Sequence, residues 1–526
     1  MRRQRAVITV FFCLLSVVFI SFCFAVVEAV RFSGARAQCA NATSLGLWSV
    51  FSEYENRLLE DYGLFAVDAA YGEKLISKEK LTDKLRIYVR ENENVTAELS
   101  GKLPGLLLDP WKAASGDVKV DQYALLSDCG GDYYYQQAVE YMLKTAWADA
   151  IGKLKDAYQD AQGMRQVESE YEDSRKTSGE DQKQVAAGVK EAREELTTMT
   201  EVAEDGSVSV VKDPEAEKRV RKAEEEGKKK DPRPQLDDLK SGDILKLVCG
   251  SIRLSKKKLN SKDLLSKRRA NRGVLSLDRP HGGGIDDLLF REYLLDHFRN
   301  FKDKPGEDVI LYQTEYLIGG KYTDRDNLRK TVRSMLYLRE GFNYAFLVTN
   351  AARNQEATGL ATLIIGWTGR PYLVAAVKHA LLLEWAYGES LFDVRILLHG
   401  GRVPLKKGET DWHVPLSSLL RLKKQLKKAD GVAKGGTTGL DYEDYLRLML
   451  HLTGMANLKK RSLDLVEVNM RTVCGCPEFR ADNCVIGMTA KIQWSIPSIM
   501  GRVPAALLGT GNPSTDISIE GGFAYR

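Results

Sequence analysis

Few residues in this chain are spaced as chemistry requires. The tightest group is CGCPEFRADNC, which brings Cys474, Cys476 and Cys484 into one short stretch. Either of the first two thiols could close a small loop with Cys484 in an oxidising compartment. A zinc centre wants four nitrogen or sulfur ligands, and His451 lies well upstream. A disulfide, a metal site and free thiols all stay open as readings of the cluster. His281–Gly284 spells HGGG, the oxyanion-loop tetrapeptide of esterases, but that loop works only beside a serine held between glycines, and no GxSxG occurs. Three glycines ahead of Ile285 read more simply as a flexible start to a helix. Gly319–Lys321 spells GGK without the first glycine of a phosphate loop and without Ser or Thr after the lysine. Neither HExxH nor an EF-hand loop is present, and the six histidines are scattered, His379 on an apolar helical pattern where core or surface is the simpler reading. The expectation is a protein that is not an enzyme, with no catalytic residue, no cofactor and no metal.

Length and composition bound the rest. The chain has 526 residues, enough for several domains, with 44% hydrophobic and 9% aromatic residues, so it is not disordered throughout. Its 77 Lys and Arg against 72 Asp and Glu give a net charge of +5, too balanced to point to nucleic acid. Acids also interleave the KKK cluster at 228–230, which reads as a solvated surface.

The strongest signal is at the N-terminus. Arg2, Arg3 and Arg5 precede the uncharged run from Ala6 to Val27. As a helix that run rises about 33 Å, enough to cross the hydrocarbon core of a bilayer. A cleaved signal peptide is the competing reading, with Ala35 and Ala37 as small residues for a cleavage site. The run is longer than a signal's apolar region, so a retained anchor is expected, with residues 1–5 cytoplasmic and nearly everything else outside. Past Glu28 the apolar positions Trp48, Phe51, Tyr54, Leu58 and Tyr62 recur at helical spacing, with polar residues elsewhere around the helix. This predicts an extension helix over 28–62 that ends at Gly63, followed by a strand at LFAVD.

The run "ITVFF…EAVRFSGARAQ…SLGLWSVFSEYENRLLEDYGLFAVD" resembles the start of TadE/TadG-like pseudopilins. More closely, the chain resembles a family of unknown function from Gram-positive bacteria described as TadE/TadG-like. The stretches "EYLIGGKYTDRDNLRKTVRSMLYLREGFNYAFL", "LLLEWAYGESLFDVRILLHGGRVPLKKGETDW" and "LDYEDYLRLMLHLT" extend the likeness to the middle and end of the chain. The resemblance implies a membrane-anchored, exported accessory of a Tad-type pilus or secretion apparatus, and it brings no catalytic residues. Processed pilins carry a glutamate five residues after their cleavage point. Taking Ala6 as that point puts Phe11 there, and the only acid near the span is Glu28. The resemblance therefore does not carry processing by a prepilin peptidase, or polymerisation as a major pilin.

The exported part reads as α+β, rich in helix with antiparallel strands. Residues 63–133 mix helix and strand, with DVKVDQYALL alternating as a strand before a Cys129–Gly131 turn. Residues 134–200 carry two helical faces around dense charge and predict a helical hairpin projecting from the head, and 201–240 predicts a linker or frayed helix. A globular head follows over 241–505. In it VILYQTEYLIGG reads as a strand, Leu360–Val377 as a buried helical hairpin broken at Gly369–Pro371, and RVPLKKGETDWHVPL as a β-hairpin turning near Gly408. KKADGVAKGGTTG reads as a loop, after which Asp441 caps a helix. Ile486, Met488, Ala490, Ile492 and Trp494 alternate with smaller or polar residues as a half-buried strand, and 506–526 reads as a loose tail.

Two functions follow as expectations. The first is a non-enzymatic pseudopilin-like accessory whose partners are the lipid bilayer, other pilin-like subunits and Tad-type components. The residues expected to act are Glu28 and the stripe Trp48, Phe51, Tyr54, Leu58 and Tyr62. The alternative is a membrane-tethered extracytoplasmic binding or sensing protein.

Overall fold

The apolar run and the stretch beyond it to Phe51 form one helix, whose distal half packs within the first of two units. A computed structural model describes residues 2–100, 113–145, 148–202, 207–278, 282–435, 438–498 and 514–525. The chain opens with α1 (Arg2–Phe51), α2 (Asn56–Tyr62), β1 (Val67–Asp68), α3 (Lys78–Ser100), β2 (Ala114–Leu125) and α4 (Asp128–Thr145). The long α5 (Ala148–Thr197) leads into the ribbon β3 (Thr198–Val202) and β4 (Val208–Lys212), then α6 (Pro214–Lys230), α7 (Arg233–Ser241) and α8 (Ile244–Val248). After an irregular stretch come α9 (Ile285–His297), α10 (Gln313–Gly319), α11 (Asp324–Thr349), α12 (Ala351–Ile365) and α13 (Pro371–Leu398). Two short helices, α14 (Leu422–Leu426) and α15 (Ala429–Lys434), precede α16 (Tyr442–Leu452), α17 (Met455–Thr472), β5 (Cys484–Pro497) and β6 (Ser514–Ala524). The expected α+β class holds, with helix predominating.

Two compact units divide the chain. The first takes Met1–Lys144, Ser261–Gly283 and Ser462–Arg526; the second takes Thr145–Asn260 and Gly284–Arg461. In the first unit β5 is the central strand. β2 runs antiparallel along one edge, pairing Ala114 with Ser495 through to Leu125 with Val485. On the other edge β1 faces Cys484 and Val485, and β6 continues from Gly487 to Pro497. One face of this sheet buries Ala490, Ile492 and Trp494 under α1 and α3. The strip of α1 that covers it is Ala35, Cys39, Ala42, Leu47, Val50 and Phe51, which fall on one side of the helix. Each of the larger ones contributes roughly 1.5–3 kcal/mol by leaving water. α1 and α3 approach closely because of Gly46, where a Cβ would lie 2.5 Å from Val89 Cγ2.

The second unit is a helical assembly around α11 and α13, which pack along each other. α13 is buried continuously from Ala380 to Leu398, so it shows no amphipathic stripe. α5 lies against both through a narrow seam that steps by three and four residues: Met164, Tyr171, Ser178 and Ala192 are buried, with Val167, Ser174, Asp181 and Val185 half-buried between them. The rest of its circumference is charged. α6 returns along α5 and packs on α12.

Several expectations are corrected by this structure. The extension helix 28–62 is broken: α1 stops at Phe51 and a separate α2 begins at Asn56, held by the Ala66 carbonyl, which accepts from the Glu55 N–H. Gly63 does close α2, with φ +64 and its N–H bonded to the Leu59 carbonyl. The hairpin expected over 134–200 finds no turn within Ala148–Thr197, and residues 146–147 lie outside the described residues. α5 runs unbroken to Thr197, the turn is the β3–β4 ribbon, and the returning arm is α6 and α7, in the region expected as a linker. Nor does α5 project, since its seam is covered by α11 and α13. VILYQTEYLIGG holds α10 rather than a strand, because every residue from Gln313 to Gly319 is buried and periodicity is lost. RVPLKKGETDWHVPL forms no hairpin; only Val403 bridges, to Leu440, and Lys407 turns inward. The expected loop after Lys427 contains α15. The tail expected to be loose contains β6, which pairs with β5 along its length; residues 506–513 of that expectation lie outside the described residues.

Candidate functional site

The residues of α1 sort by environment along its length. From Ile8 to Val30 the large apolar side chains are exposed, Val18 at 67% and Phe19 at 66%. It is the one described helix long and apolar enough to cross a membrane, which fits an anchor or a signal sequence. Glu28 and Arg31 lie where that bare surface gives way to packing. The Arg31 guanidinium pairs with the Glu28 carboxylate at 3.0 Å and donates to the Pro497 carbonyl at 2.6 Å, fastening the end of β5 to the helix. Glu28 is thus engaged within the chain.

The predicted stripe is divided. Phe51, Leu58 and Tyr62 are buried as expected, and Tyr54 is half-buried. Tyr62 accepts from the Asn469 amide at 3.0 Å, and burial pushes its hydroxyl above the ordinary value. Trp48, by contrast, is 64% exposed and touches Phe523 only edge-on. The packed face was missed in the sequence because it is built from Ala35, Cys39, Ala42 and Thr43, whose small side chains carry little hydropathy. Thr43 belongs to it through the Trp494 indole N–H, which donates to its hydroxyl at 3.3 Å.

The cysteine cluster is a set of free thiols. Cys474 sits 3.1 Å from an Asp61 carboxylate oxygen, and Cys484 is enclosed at the start of β5 near the Arg480 carbonyl. Burial, then the Asp61 hydrogen bond and charge, push the Cys474 thiol up to about 12, the opposite of what a nucleophile or metal ligand needs. His281 lies outside the described residues; Gly282, Gly283 and Gly284 all have positive φ and lead directly into α9. GGK ends a helix instead of starting one, with Gly320 as the left-handed cap of α10. His379 meets the Tyr344 hydroxyl at 2.8 Å.

One buried polar constellation was not anticipated. On α13, Glu389 and Asp393 point inward one turn apart, and on α11 Arg339 and Asn343 do the same. Lys407 enters from the following segment and bridges the two carboxylates, reaching Glu389 in a short contact and Asp393 at 2.5 Å. Asp393 also accepts from Arg339 at 3.1 Å and from the Asn343 amide at 2.9 Å. Arg339 donates further to the Leu405 carbonyl at 2.7 Å and the Tyr445 hydroxyl at 3.1 Å, while Glu389 accepts the backbone N–H of Val414 at 2.7 Å. Burial alone would raise the Asp393 carboxyl; the Lys407 and Arg339 charges outweigh it and hold it below the ordinary carboxylate value.

Glu389, Asp393 and His413 bring potential ligand atoms within 4.8 Å of one another. A metal does not fit there, because the Lys407 ammonium already takes the position between the two carboxylates. Two cations balance two anions with their hydrogen bonds made inside the core, and the constellation acts as a clasp that holds segment 403–415 against α11 and α13. Two acids a turn apart on a largely apolar helix were the available signal.

Comparison with known proteins adds one relation. The model of a family of unknown function, DUF5702, matches residues 222–496, which is more than half of the chain and takes in the clasp, α9–α16 and most of β5. No curated protein and no solved structure matches the chain. α1 lies outside the matched segment, which runs from the returning arm α6 to the central strand of the sheet. The chain belongs to this family of unknown function.

Proposed function

We propose that this protein is a non-enzymatic, membrane-anchored, pseudopilin-like accessory of a Tad-type pilus or secretion apparatus, with its N-terminus cytoplasmic and the remainder outside. The observation that carries the reading is the division of α1, apolar and bare over its first half and packed onto an antiparallel sheet over its second. An anchor that doubles as the spine of its own head transmits force or position from the bilayer to the folded part, which is what a subunit or cap of an envelope assembly needs.

Retention of the anchor is supported by where the competing cleavage site falls. Ala35 is fully buried within α1, and a cut after Ala37 would remove Arg31 and Ala35 from the packed unit. Signal peptidases act on extended small-residue sites. Orientation is supported by Arg2, Arg3 and Arg5 ahead of the span, against Arg31, whose charge is offset by Glu28.

Membranes of cells making the full chain test this in two steps. Alkaline carbonate should leave the unshortened protein in the pellet, and a membrane-impermeant maleimide should label the exposed Cys129 in intact protoplasts. Pull-down from detergent should then bring Tad-type membrane components. A shortened soluble product, or Cys129 labelled only after lysis, refutes the anchor and its orientation; a chain that is anchored but purifies alone refutes the assembly role.

A further inference from the structure

Heights along α1 follow from its regularity. It is one unbroken helix without proline, so each residue stands about 1.5 Å beyond the last. The uncharged run ends at Val27, and Arg31 follows about 6 Å further out. Arg31 is buried against the first unit and donates to the Pro497 carbonyl, so the last residue of β5 stands at the same level. Ser514, the first residue of β6, pairs with Pro497 and shares that level.

From there β6 climbs beside the helix. A Cβ on Gly521 would lie 3.0 Å from both Thr43 Cγ2 and Leu47 Cδ1, and the Phe523 ring meets that of Phe51 at 4.6 Å. Between Ser514 and Gly521 the strand rises about 23 Å, and from Arg31 to the level of Thr43 and Leu47 the helix rises about 21 Å. Equal rises mean that strand and helix run nearly parallel and in the same direction. The sheet of the first unit thus stands on end, with Pro497 and Ser514 toward the span and Phe51, Phe523 and Tyr525 at the far end.

We infer that the first unit is seated directly on the bilayer, with the Pro497 and Ser514 end of its sheet in the lipid headgroup layer. That layer takes up roughly 5–8 Å beyond the hydrocarbon on each side, which includes the level of Arg31. The lipid occupies this end because the level continues the bare apolar surface of α1 without a gap. Val30 is 62% exposed and Arg31 is buried, so a single turn of helix separates the apolar run from the packed protein. A stalk would need several exposed polar turns there. Strand ends carry backbone groups that hydrocarbon cannot satisfy, so the headgroups are also as deep as the sheet can sit. The inference rests on the membrane-anchored reading of α1 and adds to it where the folded unit stands and which way up.

The test uses the full chain in phosphatidylcholine nanodiscs. Ser514, Ser518, Ser52 and Val18, all exposed, are replaced one at a time by a fluorescent amino acid. Quenching is read with lipids spin-labelled on the headgroup or midway along the acyl chain. Headgroup quenching should be strongest at 514, weaker at 518 about 13 Å higher, and at least about tenfold weaker at 52, about 30 Å higher. Acyl-chain quenching at 18 reports the anchor separately. Inserting seven residues between Val30 and Arg31 lifts the unit by about 10 Å with little rotation, and should cut headgroup quenching at 514 several-fold. Acyl-chain quenching at 18 with no headgroup quenching at 514 overturns the seating and leaves the anchor standing. Equal headgroup quenching at 514 and 52 means a unit lying on its side, and overturns the inference, as does unchanged quenching at 514 after the insertion. Absence of acyl-chain quenching at 18 removes the anchor, and the seating with it.

Discussion

Replacing Lys407 with Met tests whether the buried clasp holds the core of the second unit. The ammonium is almost wholly enclosed and touches two carboxylates that are themselves fully buried. Removing one partner of a buried pair costs about 3–5 kcal/mol, because the remaining charge has lost its counter-ion without regaining water. Asp393 keeps Arg339 and Asn343, and Glu389 keeps two backbone N–H donors, so the lower end of that range applies, about 3 kcal/mol. That is roughly a hundredfold shift in the unfolding equilibrium. Urea unfolding of the full chain, followed by tryptophan fluorescence, reads it directly: Trp412 has the Lys407 ammonium 5.6 Å from its ring centre, and Trp385 donates to the Val414 carbonyl at 2.6 Å. Adding Glu389→Gln should recover about 1–2 kcal/mol, since the amide oxygen can still accept from Val414 and no unpaired charge remains. The loss should be insensitive to salt, as buried pairs are screened little. A loss below about 0.5 kcal/mol, or a double variant no better than the single, would refute the clasp.

Other consequences can be measured on the same protein. Burial pushes the carboxyls of Glu315 and Glu340 up to about 7 from an ordinary 4.5, so each contributes stability that is full below the ordinary value and lost as pH rises through 7. The unfolding free energy from urea titrations should therefore fall between pH 5.5 and 8, by about 2 kcal/mol for each group, and Glu340→Gln should flatten the slope. Gly63→Ala places a Cβ 2.2 Å from the Tyr141 ring at φ +64 and should cost at least about 2 kcal/mol, seen as faster hydrogen exchange in α2. Deleting residues 514–526 uncovers the edge of β5 and removes Phe523, whose ring centre is 4.6 Å from that of Phe51. Aggregation and rapid proteolysis should follow. The milder Tyr525→Phe, which removes only a hydroxyl bonded to the Phe51 carbonyl, should cost about 1 kcal/mol in the urea midpoint.

What could be read from residues alone was what repeats along a half-buried element. β5 was legible because Met488, Ala490, Ile492 and Trp494 alternate, and α16 because Asp441 caps it, a cap the structure completes as a box with Asp444. α10 was not, since burial on all sides erases the period that distinguishes helix from strand. α5 hid its length because Ser174, Ser178 and Gly188 serve as contact positions without looking apolar. In β6, Ile517, Ile519 and Phe523 do alternate toward the core, but Gly521 and Gly522 interrupt the signal. Lys407 was least legible: a lysine before glycine reads as a turn, and only the two acids on α13 give it a reason to be inside.

The interleaving of the two units constrains the order in which the molecule can be completed. β2 emerges from the ribosome or export channel hundreds of residues before its partner β5, pairing Ala114 with Ser495, and β6 follows later still. The segments of the second unit are all in hand by Arg461, so that unit can mature while the first still waits for its centre. Through that interval the side of α1 that packs on β5 and β6 lacks those strands, with only α3 and β2 of its partners already made. A chain stopped short of its last strand would hold a complete second unit and a first unit whose central strand lacks one neighbour.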